Sequence, residues 1–258
     1  MLDKNQTIAG IDEAGRGPLF GPVVACAVIF NDKIDITEIK DSKKISPIKR
    51  QKIFTQLINQ NIDYGVGVVH EDVIDEINIL NATKEAMLLA VSNLKNRPDE
   101  LLIDGNQLIK TDIKQEAIVK GDEKISEISA ASIIAKVTRD KIVESYSKIY
   151  PMFDLMSHKG YGTKKHIELL YEYGATKIHR HTFKPICNIG YDSFIEYESL
   201  SIIRYAIHLI KKGFYVDDFH IKEDIGFIHY KTEKTDVCLV SLDKNNRDML
   251  LPNIISKV

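Results

Sequence analysis

The chain has 258 residues, of which 44% are hydrophobic and 28% are charged, and its formal net charge is -2 at pH 7. This length allows one large core, or one core with a small additional module, and the composition excludes an intrinsically disordered chain. The net charge excludes a protein that binds a polyanion through global attraction, so any nucleic-acid contact must come from a local basic surface.

Membrane insertion and disulfide formation find no support in the sequence. The longest apolar stretch, residues 23–30, is far shorter than a membrane-spanning helix, and the first residues lack a signal-peptide pattern. Cys26, Cys187 and Cys238 are widely separated and form no CxxC motif, so we expect three buried thiols. We therefore expect a cytoplasmic protein that does not bind a membrane.

The first part of the chain shows strand and helix patterns in turn. Residues 7–11 and 23–30 predict two strands of a hairpin, because β-branched and apolar runs flank a stretch that contains Gly and Pro. Ser46 is typical of an N-cap and is followed by a proline, which predicts a helix over residues 47–59. A third strand is expected at residues 64–70.

Two longer helices follow. The alanines and leucines of residues 81–96, Leu89 among them, recur on one helical face, and this helix should lead into a strand at residues 100–104. A second apolar stripe predicts a long helix over residues 126–150, which Pro151 ends.

The last part of the chain has a different pattern. A possible capping box of Ser193 and Glu196 predicts a helix to about Lys212. Short strands are expected at residues 214–220, 226–231 and 236–241. We interpret this region as a small α+β appendage.

Carboxylates stand at the ends of two apolar strands. Asp12 and Glu13 follow the first strand, and Asp104 follows residues 101–103. Neighbouring residues of a regular strand point to opposite faces, so Asp12 and Glu13 share a site only if the strand distorts there, which Gly10 and Gly15 permit. Each acid alone could equally belong to a solvated turn.

Several ordered motifs tie these acids to a known family. The motifs are residues 10–22, 102–106, 120–122, 129–140, 157–163 and 173–183. Together they resemble the bacterial type 2 ribonuclease H family over about residues 5–187. The sequence departs from the family pattern at His181 and Thr182, where arginine and serine are usual.

The resemblance implies a fold and a metal site. The fold is an α/β, ribonuclease H-like mixed five-stranded sheet flanked by helices, with residues 1–188 as the catalytic domain and residues 189–258 as the α+β appendage. The implied metal ligands and catalytic residues are Asp12, Glu13, Asp104 and Asp122, although Asp122 alone resembles an ordinary loop acid. Carboxylates suit Mg²⁺ or Mn²⁺, and two ions can serve phosphodiester hydrolysis.

The resemblance also implies an activity and a mode of substrate binding. The enzyme would hydrolyse the RNA strand of RNA/DNA hybrids and nick 5′ to single ribonucleotides in duplex DNA, leaving 5′-phosphate and 3′-hydroxyl ends during ribonucleotide and RNA primer removal. In the family the Gly15-Arg16-Gly17 turn reads the ribose, and Tyr161 stacks on the next deoxyribose. Further candidate substrate contacts are Lys43, Ser132, Lys159 and Arg180. Without the resemblance, a tight turn, a core tyrosine and solvated charges are the alternatives.

Three other functions compete with this interpretation. A DNA-cutting nuclease of the same fold would need the acids but no ribose discrimination, and a nonenzymatic hybrid-binding protein would be expected to lack at least one acid. Type 3 ribonuclease H usually carries an additional N-terminal domain, whereas few residues precede Asp12.

The appendage resembles no known family. Residues 189–258 contain nine Lys and Arg against eleven Asp and Glu, which gives no support for phosphate binding. A module that docks a protein partner and a structural support remain equal alternatives. We expect a monomer.

Overall fold

The computed structural model describes residues 6–30, 46–60, 62–189, 201–222, 225–231, 238–243 and 255–256. The chain divides into two compact units, one within residues 1–16 and 22–139 and one within residues 17–21 and 140–258. The predicted domain boundary at residue 188 adjoins residues 190–200, which lie outside the described residues. It therefore stays a prediction.

The described part of the first unit contains a mixed sheet of five strands, as predicted. The strands are β1 (Ile8–Ala14), β2 (Val23–Ile29), β3 (Asp63–Val69), β4 (Glu100–Asp104) and β5 (Lys114–Ile118), in the order β3-β2-β1-β4-β5. The predicted hairpin is confirmed because β1 pairs with β2 in antiparallel fashion, and β2 pairs likewise with β3. Both β1 and β5 run parallel to β4.

Three helices accompany this sheet: α1 (Pro47–Asn59), α2 (Glu71–Ser92) and α3 (Ser126–Ile149). The predicted cap of α1 is confirmed, since the Ser46 hydroxyl accepts a hydrogen bond from the Lys49 N–H at 3.3 Å. The predicted stripe of α3 is buried. The last part of α3, from Asp140 onward, belongs to the second unit.

The helix α2 differs from its prediction. It begins at Glu71 and contains one non-helical residue, Asn78, whose Oδ1 accepts the N–H of Leu80 and so caps the second segment. Leu89 was expected on the buried face, but 38% of it is exposed. The helix instead approaches β3 through backbone, because a Cβ on Gly67 would lie only 2.0 Å from the Ala86 carbonyl oxygen.

The second unit contains the α+β region that the sequence predicts. Its elements are α4 (Leu155–His158), α5 (Lys164–Tyr173), α6 (Ser201–Lys211), β6 (Tyr215–Lys222), β7 (Ile225–Lys231), β8 (Cys238–Asp243) and β9 (Ile255–Ser256). The four strands form an antiparallel sheet in chain order, and the apolar side of α6 is buried. The predicted capping box at Ser193 and Glu196 lies outside the described residues.

Two expectations about thiols and membranes can be compared with the structure. Cys26 is buried, but Cys187 is exposed, so the expectation of a buried thiol is wrong there. Cys187 lies in a short 3-10 turn, Ile186–Asn188, in which only Ile186 is buried. Within the described residues, every helix is too short or too polar to cross a membrane.

The appendage contacts the last part of α3. The Val216 N–H of β6 donates a hydrogen bond to the buried Ser145 hydroxyl at 3.0 Å, and the Lys141 ammonium lies 5.4 Å from the centre of the Tyr215 ring. A buried donor that loses its acceptor costs free energy because water cannot replace the partner. This contact favours a structural role for the β6 strand.

We predict that Ser145→Ala lowers the free energy of unfolding by about 1 to 3 kcal/mol, because the Val216 N–H stays buried without its acceptor. Ser147→Ala is the matched control. Both serine hydroxyls donate to a carbonyl of their own helix, that of Lys141 for Ser145 and that of Glu144 for Ser147. Ser147→Ala should change the stability by less than about 0.5 kcal/mol. Equal effects in urea unfolding would contradict a stabilising contact between α3 and β6.

Candidate active site

The parallel pairing of β1 with β4 brings two of the predicted ligands together. Ile11 pairs with Ile103, so the residues that follow, Asp12 and Asp104, lie at the same end of neighbouring strands. The charge of Asp104 acts on the carboxyl group of Asp12 and on that of Glu13. These three acids of the first unit therefore lie within electrostatic range of one another.

The strand β1 continues regularly through both of its acids. Asp12 pairs with Cys26 and Glu13 with Ala25, without a shift of register. The expected distortion is therefore absent from the register of the strand, yet the charge of Asp104 acts on both carboxyl groups. Glu13 is paired with Arg16, whose Nη1 lies 3.4 Å from Glu13 Oε1.

Neighbouring hydrogen-bond donors orient the carboxylates of Asp12 and Asp104. Asp12 Oδ1 accepts the N–H of Glu13 at 2.7 Å, and the Ser132 hydroxyl also hydrogen-bonds to the Asp12 carboxyl group. Asp104 Oδ1 accepts the N–H of Gly121 at 2.7 Å. The Asp122 backbone nitrogen lies 3.4 Å from the same oxygen, so the short 3-10 turn Gly121–Glu123 brings the buried Asp122 beside β4.

Burial and repulsion make this cluster unfavourable for negative charge. The pKa of Asp12 is raised well above its usual range by burial, with Glu13 and Asp104 adding to the effect. Burial also raises the pKa of Glu13, although Arg16 opposes the shift. A bound divalent cation would offset the repulsion between such carboxylates.

The donor set fits a hard divalent cation. Its oxygens belong to carboxylates, which Mg²⁺ and Mn²⁺ prefer, and Mg²⁺ commonly uses one or two carboxylates together with water and substrate phosphate. Among the residues that the structure describes, no group of three or more His, Cys, Asp or Glu side chains forms a ready-made metal site. The protein therefore offers part of a coordination shell.

The turn after β1 requires its first glycine. Gly15 has a φ of +98°, and a Cβ on it would lie 2.3 Å from Nε of Arg139. Arg139 is fully buried and donates through Nε to the Pro22 carbonyl at 3.3 Å. Sequence reasoning missed Arg139 as a support of this turn, because a hydrogen bond to a main-chain carbonyl leaves no side-chain pattern.

In the second unit, Tyr161 lies beside Gly17. A Cβ on Gly17 would lie 3.6 Å from Cε1 of Tyr161, which is 42% exposed. Gly160 has a φ of +83° and lies against Phe20. Gly17 and the tyrosine loop, which are far apart in the sequence, thus lie together within the second unit.

Arg180 was predicted to contact the substrate, but its guanidinium is buried. It is fully buried, and its guanidinium donates to the carbonyl oxygens of Gly21 at 2.9 Å and Pro18 at 2.8 Å. A phosphate contact requires an exposed guanidinium, so we assign Arg180 to the support of residues 18–21. His181, at the departure from the family pattern, hydrogen-bonds through Nε2 to the Thr176 carbonyl at 3.0 Å.

Three further residues were predicted to contact the substrate: Lys43, Ser132 and Lys159. Lys159 lies directly before Gly160 and has a left-handed φ of 50°. Lys43 lies outside the described residues. The roles of Lys159, Lys43 and Ser132 in phosphate binding stay predictions.

Sequence reasoning also missed a buried histidine cluster in the second unit. His166 and His179 are fully buried, and His158 is nearly so. Nε2 of His166 lies 3.2 Å from Nε2 of His179. His158 and His179 lie within the sequence motifs of residues 157–163 and 173–183, and this was the only sign of the cluster in the sequence.

Comparison with known proteins assigns the chain to a family. The model of the Ribonuclease HII family matches residues 9–186, well over half of the chain. The chain belongs to the ribonuclease HII family. The ribonuclease HII of Acetivibrio thermocellus is 56% identical over 176 residues, which cover 68% of this chain and 69% of that protein.

Solved structures agree with this assignment. Ribonuclease H2 from Pyrococcus horikoshii OT3 matches with a TM-score of 0.60 and 31% identity, over 70% of this chain and 96% of that one. The ribonuclease HII of the PCNA:RNase HII complex from Archaeoglobus fulgidus matches with a TM-score of 0.60 and 28% identity, over 69% and 95%. As a ribonuclease HII, the chain is a metal-dependent nuclease with ribonuclease H activity on RNA paired with DNA.

We predict that His166 makes stability depend on pH. Burial, with a contribution from His158, lowers its pKa from 6.5 to about 4. Below pH 6.5 the unfolded chain binds a proton that the folded chain does not, so the free energy of unfolding is fully retained above pH 6.5 and falls towards pH 4. The loss from this residue should reach about 3 kcal/mol, since one pKa unit corresponds to about 1.4 kcal/mol.

Urea unfolding between pH 7 and about pH 4 measures this loss. His166→Asn removes the titrating ring and should show a shallower decrease over the same interval. An unchanged slope in His166→Asn would contradict the assignment of the pH dependence to His166.

Proposed function

We propose that the chain hydrolyses the RNA strand of RNA/DNA hybrids and also nicks 5′ to single ribonucleotides in duplex DNA. The observation that carries the catalytic part is the adjacency of Asp12 and Asp104 at the same end of β1 and β4. Carboxylates held on paired strands form a more rigid site than carboxylates on loops. The further roles that follow are ribonucleotide removal and RNA primer removal.

Four acids would hold the metal in this proposal: Asp12, Glu13, Asp104 and Asp122. Two Mg²⁺ or Mn²⁺ ions, when bound, supply activation of the attacking water and stabilisation of the departing oxyanion. The chain itself holds the carboxylates ready: Ser132 and the Glu13 amide orient Asp12, and the Gly121 amide orients Asp104. The products would be 5′-phosphate and 3′-hydroxyl ends.

The Gly15-Arg16-Gly17 turn and Tyr161 would read the sugars. A ribose differs from a deoxyribose by its 2′-hydroxyl, which donates and accepts hydrogen bonds, and glycines allow the main chain to approach that group closely. The exposed Tyr161 ring beside Gly17 can stack on the following sugar. This arrangement supports recognition of a junction from RNA to DNA.

The position of Tyr161 beside Gly17 favours this proposal over a DNA-cutting nuclease of the same fold. A nuclease that accepts DNA on both sides of the cut needs no group beside the ribose-reading turn. An all-DNA duplex should therefore survive under conditions in which the same duplex with one ribonucleotide is nicked.

The appendage could additionally bind a protein partner. A structure with PCNA exists for the Archaeoglobus fulgidus enzyme. The family model ends at residue 186, so the appendage lies outside the matched residues. A monomeric state and a cytoplasmic location complete the proposal.

We predict that Asp12→Asn or Asp104→Asn lowers nicking of a duplex with one ribonucleotide by at least about 100-fold, because a neutral amide weakens cation binding. The matched control is Asp112→Asn, since Asp112 is an exposed acid that pairs with Arg97. It should retain nicking. Substantial nicking by Asp12→Asn in Mg²⁺ would contradict the ligand assignment, and removal of divalent ions by a chelator should stop the native enzyme.

A further inference from the structure

Three buried histidines of the second unit form a connected group that the proposed chemistry does not use. The rings of His158 and His166 stack with their centres 4.3 Å apart. Nε2 of His166 lies 3.2 Å from Nε2 of His179. Buried imidazoles need a hydrogen-bond partner at each ring nitrogen, so the partners reveal how the protons are arranged.

The partners of His179 and His166 define one direction of hydrogen bonding. The Thr176 N–H donates to Nδ1 of His179 at 3.0 Å, so the proton of His179 is on Nε2 and is donated to His166 Nε2. His166 must then carry its own proton on Nδ1, which lies 3.0 Å from the Tyr161 carbonyl oxygen. The chain of hydrogen bonds thus runs from Thr176 to Tyr161.

His158 fixes the neighbouring backbone group. The Gly160 N–H donates to Nδ1 of His158 at 3.2 Å, and His158 Nε2 donates to the Phe153 carbonyl at 2.8 Å. Both arrangements require neutral rings. Burial lowers the pKa of His158, of His166 and, to the greatest extent, of His179, which keeps all three neutral near pH 7.

The hydrogen bonds end at the loop that carries the exposed Tyr161. The Gly160 carbonyl accepts the N–H of Leu19 at 2.8 Å, and a Cβ on Gly160 would lie 3.0 Å from Phe20. The loop backbone is therefore held between the histidines and residues 19–20. Its exposed side presents the Tyr161 ring to Gly17.

We infer that His166 is a positioning residue, which holds the Tyr161 carbonyl and thereby places the Tyr161 ring for recognition of the sugar that follows a ribonucleotide. The functional half of this inference rests on the proposed role of Tyr161. The structural half does not, because it concerns only the hydrogen bond from His166 to the loop.

Two variants of His166 separate the hydrogen bond from the ring. His166→Asn can keep a donor near the position of Nδ1, whereas His166→Leu removes it. His208→Leu is the control, since His208 is exposed on α6. Amide hydrogen exchange of residues 158–163 in the full chain should accelerate about 10-fold or more in His166→Leu, as expected for a lost buried hydrogen bond, and change little in His166→Asn and His208→Leu.

Nicking selectivity tests the functional half. The ratio of kcat/KM for a duplex with one ribonucleotide to kcat/KM for a continuous RNA/DNA hybrid should fall about 10-fold in His166→Leu, which corresponds to the loss of one such interaction. Because His166 acts through Tyr161, the same substitution in a Tyr161→Ala background should change this ratio less than about 2-fold. A selectivity loss that persists in that background would overturn the inference.

Different results would contradict the structural part and the functional part of the inference. Unchanged exchange in His166→Leu would overturn the positioning role, whatever the nicking assays show. Faster exchange in His166→Leu combined with normal selectivity in Tyr161→Ala would overturn the proposed sugar contact and the functional half with it. If His166→Leu does not fold, ¹⁵N spectra of the native imidazoles decide, because a proton on Nε2 of His166 would exclude the hydrogen bond to Tyr161.

Discussion

The parallel pairing of β1 with β4 brings together two carboxylates that are far apart in the sequence. Placing like charges beside each other in a buried region is unfavourable: burial raises the pKa of Asp12, and the charges of Glu13 and Asp104 raise it further. The strands tolerate it because Ile11 and Ile103, the pair directly before the two acids, are completely buried and fix the register. A flexible loop would let the carboxylates separate, whereas the sheet keeps the two strand ends side by side.

The proposed substrate recognition depends on a second constraint, which is that main chain without regular secondary structure must be held rigid. Two buried arginines supply this rigidity within their own units: Arg139 donates to the Pro22 carbonyl, and Arg180 donates to the carbonyls of Pro18 and Gly21. Hydrogen bonds from a charged donor are stronger than those between neutral groups. The basic side chains that the sequence offers as phosphate contacts thus include one that stabilises backbone.

Much of the fold follows from local sequence patterns. The Ser46 cap, the hairpin and the stripe of α3 depend on neighbouring residues and are confirmed. The edge strand β5 was not predicted, because Lys114–Ile118 alternates charged and polar residues with few apolar ones. The start of α2 was missed because the non-helical Asn78 interrupts the periodicity.

The candidate site likewise contains residues that the sequence predicts and residues that it does not. Asp12 and Asp104 could be found because each follows an apolar strand. The burial of Arg180 could not, since its guanidinium donates to a carbonyl of a distant segment, and the histidine cluster could not, since the fold must first bring the rings of His166 and His179 together. Sequence patterns record which side chains are apolar, but they do not record which carbonyl oxygens need a donor.

The hydrogen bond from the Gly121 amide to Asp104 affects which substitutions this part of the chain can accept during evolution. A main-chain donor persists whatever side chain its residue carries, so most changes around Asp104 leave its orientation intact. The vulnerable position is Gly121 itself, where a Cβ would lie 2.6 Å from Cδ1 of Ile128. Relatives that lose this glycine should therefore carry a smaller residue at position 128, which makes the two positions a pair expected to evolve together.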